Sequence, residues 1–560
     1  MSRPLPLAVL LLAAGAALAC GGGGSPAATA RSRPAVASSD WWNGAVVYEV
    51  FVRSFRDSGA DGNGDLEGLI EKLDYLRCPD PPGSCDPGKA LGVDALWLMP
   101  IYPSPSYHGY DVTDLRGVNP DYGSLSDLDL LLAAAHARGL RVVLDFVPNH
   151  TSIDHPWFED SESPSSEKRD YYVWSEGQEN WPEPWGGGDT WYKNPQGSGY
   201  YYAVFSSGMP DLNWKNPAVA AEIEASALYW LSRGVDGFRL DAVRYLVENG
   251  RGEQEDEPGT HAALRHLAAT LREARSDALI VGEAWADTPT IATYHGTPTT
   301  LAPFGDELPL TFDFPLASAI VSGILSGLAS PVAGALDEVA RDYPPGTGDA
   351  PFLSNHDQVR IASQLGGDLE GLKLAAAILL TLEGTPFVYY GEEIGLLNGA
   401  GADDVCKRTP LPWDATAGHG FTTGTPWNAA MAGTSCHGFS PGNASVAAET
   451  DDPGSLLARY RDLIRVRAAS PALRLGDMER LPVGAPGVLA YLRSSPEETV
   501  LVVHNLGKSA SRATVTAPGN DALALLVDPG AEIAPGSGGD TFSVSLPPQA
   551  TGIWRLLGEP

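Results

Sequence analysis

Basic residues are scarce in this chain. Against 70 Asp and Glu it carries 37 Lys and Arg, a formal net charge of −33 over 560 residues. Binding nucleic acid through its phosphates needs a basic face, and docking on anionic lipid needs clustered cations, so the composition argues against both. Cysteine is scarcer still, five in all, and no CxxC or Cys/His spacing suggests zinc. Long apolar runs are few: Leu5–Ala19 is too short to span a bilayer comfortably. What is present excludes disorder, since 43% hydrophobic residues and 14 Trp can bury a large core. The length exceeds what one ordinary core supports, so two or three domains are expected.

The first residues carry an export address. Arg3 supplies a short positive region, and Ala17-Leu18-Ala19 ends the apolar run just before Cys20 and a Gly/Ser stretch. Residues 1–19 read as a signal peptide and 20–39 as a flexible tether. Cysteine directly after the small-residue site resembles a bacterial lipoprotein, so a lipid anchor on Cys20 is favoured over simple secretion. The remaining cysteines are Cys78, Cys85, Cys406 and Cys436. Four in an exported chain suggest two disulfides; Cys78–Cys85 and Cys406–Cys436 are the sequence-local pairs, and three connectivities are open.

From Trp41 onward, short β-rich runs alternate with helical stretches. The runs are 46–52, 93–99, 141–146, 235–240, 279–282, 310–314, 351–353 and 387–390; helical segments include 125–138, 218–232, 261–274, 316–328 and 372–381. Eight such strands predict a parallel sheet closed into an α/β (β/α)8 barrel, occupying 40–150 and 209–472. The segment 151–208 interrupts the alternation and holds five of the 14 tryptophans (Trp157, Trp174, Trp181, Trp185 and Trp191), so it is expected to be an inserted subdomain. After an amphipathic helix at 455–469, residues 473–560 alternate as short strands at 487–493, 499–505, 514–517, 541–545 and 551–556, predicting an antiparallel β-sandwich domain.

In such barrels the reacting groups lie at the C-terminal ends of strands. Those positions hold Asp145 (DFVPNH, 145–150), Asp241 (GFRLDAVRY, 237–245), Glu283 (VGEAW, 281–285) and Asp357 (FLSNHD, 352–357). A single strand-end Asp is usually a helix cap, but four acids set beside His, Arg or Trp point to chemistry. Arg239 lies two residues before Asp241 and so on the same side of its strand, where a guanidinium favours the charged form of that carboxyl.

These segments resemble the motifs of the α-amylase family of glycoside hydrolases, in the same order. Further matches are GAVVYEVFVRSF (44–55), MPDLN (209–213), GTPFVYYGEEIG (384–395) and RTPLPW (408–413), so the resemblance runs from about Asp40 to the C-terminus. It implies a retaining hydrolase of α-glucosidic bonds, which needs two carboxyl groups about 5–5.5 Å apart. Asp241 would be the nucleophile, Glu283 the acid/base, its pKa raised by the crowding aspartates, and Asp357 the carboxylate that grips sugar hydroxyls. His108, His150, Arg239 and His356 would serve the sugar site, Tyr110 would stack on the ring, and Asp145 would support. Tyr107 stands where exo-acting relatives often carry Asp, favouring an endo-acting α-amylase on starch, glycogen or maltodextrin. The alternatives are an α-glucosidase or oligo-1,6-glucosidase, a 4-α-glucanotransferase and, remotely, a non-catalytic glucan-binding protein.

The acidic, Gly-rich turn Asp57–Asp65 spaces oxygen ligands for calcium. Resemblance implies Asp57, Asp61, Asp65 and the Asn63 carbonyl there, and a second calcium site at Asn149, Asp211 and the Tyr245 carbonyl. Arg244-Tyr245 replaces the Lys-His usual in the family's amylases at that second site. The expected partner is an α-glucan bound by a monomer.

Overall fold

The structure is a computed structural model that describes residues 40–557 except Asn443, Asn520 and 537–539. The expected signal peptide (1–19), the expected tether (20–39) and Cys20 lie outside the described residues. Among the described residues no helix is long and apolar enough to cross a membrane.

Seven parallel strands form the central sheet: β1 (Val47–Val50), β2 (Ala95–Leu98), β3 (Arg141–Phe146), β4 (Gly237–Leu240), β5 (Leu279–Gly282), β6 (Leu310–Thr311) and β7 (Phe387–Tyr389). Their order is β7-β1-β2-β3-β4-β5-β6. The ring closes between β6 and β7 through two single parallel bridges, Phe312 to Ala350 and Phe352 to Phe387. The strand expected at 351–353 therefore shrinks to isolated pairings, because Pro351 has no N–H to give a ladder. Apart from Arg141 at its edge, every residue of these strands is buried, as in a parallel sheet covered on both faces.

Helices follow the strands, with local sequence fixing where they start. Leu125–His136 begins at a capping box in which Ser124 and Asp127 exchange side-chain-to-backbone bonds. Pro217–Ser232 begins at Asn216, whose side chain accepts from the Ala218 amide, with proline in the first turn. The helix Ser330–Asp342 was not foreseen; it buries only Val332, Ala335 and Leu336, too thin a stripe to read.

Between β3 and β4 the inserted segment carries a three-stranded antiparallel sheet of Trp174–Ser175, Tyr200–Tyr202 and Trp191–Lys193. The C-terminal part is two facing antiparallel sheets, of five and three strands. Leu501, Val503 and Trp554 pack there with Val515, Phe542 and Val544. Three of its strands escaped the sequence reading. Asp521–Val527 (DALALLV) has helical composition, and pairing with Ala550–Leu557 overrides it. Asp477–Leu481 (DMERL) and Glu532–Pro535 (EIAP) are edge strands, the first mostly polar and the second only four residues long and ending in proline.

Two buried arginines, Arg467 from the barrel's last long helix and Arg493 from the C-terminal domain, converge on one stretch of backbone. Arg467 donates to the carbonyls of Leu380, Leu382 and Gly384, and Arg493 to those of Thr381 and Leu382. Leu380 and Thr381 end the helix Leu369–Thr381, and Leu382 and Gly384 follow it, where backbone acceptors and the helix dipole both favour a cation. Residues 382–384 lead directly into β7, so the contact also fixes the strand that closes the ring.

Candidate active site

The site is built from sheet register. Asp145 on β3 is paired with Arg239 on β4, and Arg239 with Val281 on β5. Two residues further along, Asp241 and Glu283 emerge side by side at the C-terminal mouth. The buried Arg239 guanidinium binds all three acids: Nη1 lies 2.8 Å from Asp145 Oδ1 and 2.7 Å from Asp241 Oδ1, and Nη2 lies 2.9 Å from Glu283 Oε2. Asp145 also accepts from Trp97 Nε1 at 3.2 Å and Tyr110 Oη at 3.0 Å, so it is the anchor of the cluster.

Glu283 Oε2 accepts a hydrogen bond from the Ala242 amide at 3.1 Å. Ala242 has φ 52° and ψ 37°, left-handed and uncommon for a residue with a Cβ. That turn aims its N–H at Glu283. Burial pushes the Glu283 carboxyl up to about 8; Arg239 opposes the shift and Asp241 and Asp357 reinforce it. Burial therefore leads, with aspartate crowding as a secondary cause.

Asp357 has the opposite electrostatics. Burial would raise its pKa, but His356 and Arg408 outweigh it and hold the carboxyl well below the usual carboxylate range. Arg408 Nη2 lies 2.7 Å from Asp357 Oδ1, and His356 Nε2 lies 2.9 Å from Asp357 Oδ2. His356 Nδ1 meets Glu49 Oε1 at 2.6 Å. Burial alone would lower the His356 pKa; the two flanking carboxylates push it up to about 9. Tyr110 lies nearly parallel to His356, with ring centroids 5.5 Å apart, and their Oη and Nε2 atoms lie 2.6 Å apart.

Asp145, Arg239, Asp241, Glu283, Tyr110, His356 and Asp357 are thus one connected network. His150 and His108 flank it. His150 is buried, its Nε2 has no hydrogen-bond partner, and burial lowers its pKa. Burial lowers the His108 pKa to about 4, and its Nδ1 accepts from the Tyr110 amide.

Aromatic side chains surround the network. Four of the five tryptophans in the inserted segment are packed inward, among them Trp191 against Trp181 and Tyr202. Trp185 is 50% exposed, stacked on Phe205 and edge-on to Tyr245. Trp285, two residues past Glu283, is 48% exposed and stacked on Phe314 with centroids 4.6 Å apart. Arg244 is committed to Asp256, Glu255 and the Trp285 carbonyl. On the other side Tyr107 stacks on Trp427 at 5.3 Å.

The acidic turn splits the expected calcium ligands. Asp57 and Asp65 both border Gly59. Both also accept backbone amides, Asp57 from Ala60 and Gly62 and Asp65 from Ser58 and Gly68. Asp61 is exposed and turned onto the Asn63 amide. At the second candidate, Asn149 Nδ2 donates to Asp211 Oδ2 at 2.9 Å, and Asn149 Oδ1 is buried without a partner. Among the described residues no three or more His, Cys, Asp or Glu are grouped to hold a metal, so any ion would lean on backbone and amide oxygens.

Both sequence-local disulfides form, Cys78–Cys85 and Cys406–Cys436. Sequence reasoning missed Glu49, Trp97, Lys407 and Arg408 as site residues. A charged Glu inside the apolar strand VYEV was the one available signal for Glu49, and Arg408 stood in a recognised motif without a role.

Two carboxyls held side by side by one guanidinium at the C-terminal mouth of a (β/α)8 barrel are the arrangement that a glycosidase needs. Residues 49–476 match the family model "Alpha amylase, catalytic domain", and 488–551 match "Alpha-amylase SusG C-terminal domain". The chain is 38% identical over 473 residues to Alpha-amylase 3 of Dictyoglomus thermophilum, covering 84% of this chain and 86% of that one. It is 34% identical over 530 residues to "Trehalose synthase/amylase TreS" of Mycolicibacterium smegmatis, covering 86% of each. The crystal structure of an α-amylase from H. orenii superposes with a TM-score of 0.78 at 37% identity, covering 92% of this chain and 99% of that one. The chain belongs to the α-amylase family of glycoside hydrolases.

Proposed function

We propose that this enzyme is an endo-acting α-amylase, hydrolysing internal α-1,4 bonds of starch, glycogen or maltodextrins with retention. The observation that carries the reading is the single guanidinium of Arg239 touching Asp241 and Glu283. Carboxyls bridged by one guanidinium are near neighbours, as double displacement requires. Asp241 attacks the anomeric carbon while Glu283, kept protonated through neutral pH by burial, gives its proton to the leaving oxygen. Glu283 then takes a proton from water, which attacks the same carbon, releases Asp241 and yields the α-anomer. Asp357, fixed as a carboxylate by Arg408 and His356, grips ring hydroxyls. The neutral, partnerless Nε2 of His150 is set for another hydroxyl, and Arg239 and Asp145 hold the acids in register. Tyr110 and His108 line the same mouth.

The endo reading is supported by Tyr107, which leaves no acid to close the groove, and by half-exposed Trp185 and Trp285, whose faces suit sugar C–H faces. Arg244 is already paired, so this side of the groove suits an uncharged acceptor. Structural calcium belongs to the same reading, held by Asp57, Asp65 and loop carbonyls and, at the second site, by Asn149 and Asp211; the partnerless Asn149 oxygen supports the latter. Export, with a lipid on Cys20, fits a chain with two disulfides. A monomer suffices, since every residue of the proposed machinery comes from one chain.

The trehalose synthase relative favours a second reading, transfer of a glucosyl unit to make trehalose. Digestion of soluble starch separates them. The endo reading expects iodine staining to fall well before free glucose accumulates, with maltooligosaccharides as first products. Glucose alone with staining intact would overturn it, and conversion of maltose to trehalose would establish the second.

A further inference from the structure

The segment Cys406–Thr409 passes behind the third carboxylate of the site. Arg408 reaches Asp357 Oδ1 at 2.7 Å, and its Nε donates to the His356 carbonyl at 3.0 Å. Lys407 Nζ donates to the Asp357 carbonyl at 2.7 Å and to Asp404 Oδ1 at 2.8 Å. Two consecutive cations from one strap therefore hold the side chain and the backbone of Asp357. The four carbonyls of the strap are all taken. Gly399 N donates to Cys406, Arg360 and Tyr389 to Lys407, Ser54 to Arg408, and Tyr390 to Thr409.

What enters this strap is a disulfide. Cys406, one residue before Lys407, is bonded to Cys436 across a 30-residue loop, and both are buried. Tyr107, Trp427 and Met431 pack on the pair. Trp427 also donates to Ser54 Oγ at 3.0 Å, and Ser54 Oγ donates on to the Arg408 carbonyl at 2.6 Å. The bridge is thus joined to the site by two routes: along the chain to Lys407 and Arg408, and through Trp427 and Ser54 to the Arg408 backbone.

We propose that the Cys406–Cys436 disulfide and Lys407 are positioning elements for the cleavage subsite, holding the strap that sets Asp357 against the sugar. The proposal rests on the reading of Asp357 as the carboxylate that grips the substrate. A disulfide that only stabilised the fold would be interchangeable with the other one. Cys78–Cys85 joins residues 7 apart in the loop that precedes β2, outside the strap, so it is the internal control.

The test compares Cys406→Ala/Cys436→Ala, Lys407→Met, Cys78→Ala/Cys85→Ala and Asp357→Ala on an aryl maltoside. Each is assayed well below its own melting temperature, with folding checked by circular dichroism. Affinity for maltooligosaccharide is measured in parallel on a Glu283→Gln background. Misplacing a binding carboxylate by a fraction of an ångström costs about tenfold. The expected result is a loss of about that size in kcat/KM for the 406/436 pair and for Lys407→Met, with weaker sugar binding and no change for the 78/85 pair. A folded 406/436 variant with wild-type kcat/KM and sugar affinity, alongside an inactive Asp357→Ala, overturns the strap alone. An Asp357→Ala enzyme of full activity overturns the underlying reading of Asp357.

Discussion

Replacing Glu283 with glutamine is expected to lower kcat on starch by about 10³-fold while leaving maltooligosaccharide binding in place. Glutamine keeps the volume and still offers an oxygen to the Ala242 amide, so the pocket survives. What disappears is the transferable proton. The effect is large because the alkoxide leaving from an α-1,4 bond is a poor leaving group without protonation. An aryl maltoside with an acidic phenol needs little help in departure, so the first step on that substrate is expected to be much less impaired. The pH dependence has a definite sign. A general acid works only while protonated, and burial raises the Glu283 pKa to about 8. Activity of the native enzyme on starch is expected to hold through neutral pH and to fall as pH climbs through that value. The variant, assayed on the activated glycoside, loses that alkaline limb. Equal starch activity in native and variant enzyme refutes the assignment.

Asp241→Ala is expected to be more damaging still, a loss of about 10⁴-fold or more, because the covalent route itself is removed. The fold should tolerate it. Arg239 keeps its bond to Asp145 at 2.8 Å and its contact with Glu283 at 2.9 Å, so no buried cation is stranded. The vacated space lies on the face from which the anomeric carbon is attacked. Azide supplied there forms the new bond to that carbon as Glu283 protonates the leaving oxygen, giving a β-glycosyl azide by one inversion. Chromatographic detection of that product, at a rate rising with azide, supports Asp241 as nucleophile. An Asp241→Ala enzyme that still cleaves starch at native rates without azide rules it out.

The sequence exposed one kind of information well. Strand ends in a parallel barrel collect at one mouth, and side chains two apart on a strand share a side, so Asp145, Arg239, Asp241 and Glu283 could be gathered before any coordinates. Contacts between distant segments were not legible. Glu49 and His356 are 307 residues apart in the chain yet 2.6 Å apart in space, and Arg408 reaches Asp357 from the loop after the last strand. Nothing in local pattern encodes such pairs. Orientation was equally hidden. The spacing of Asp57, Asp61 and Asp65 suggested three converging carboxylates, but a local bond to the Asn63 amide turns Asp61 outward. The tryptophans of the inserted segment looked alike in sequence, and only packing separates exposed Trp185 from buried Trp191. In the C-terminal domain, Asp521–Val527 has composition that favours helix and becomes a strand only through its neighbour. Propensity lost there to cross-strand pairing.

The Asp241 and Glu283 pair is assigned retaining hydrolysis of α-glucan. Its most direct test is proton NMR of the anomeric region during the first minutes of maltoheptaose digestion, before mutarotation. Newly formed reducing ends are expected as α-anomers of shorter maltooligosaccharides, relaxing later toward the equilibrium mixture. First-formed β-anomers would contradict double displacement, and a trehalose signal with no new reducing ends would contradict hydrolysis.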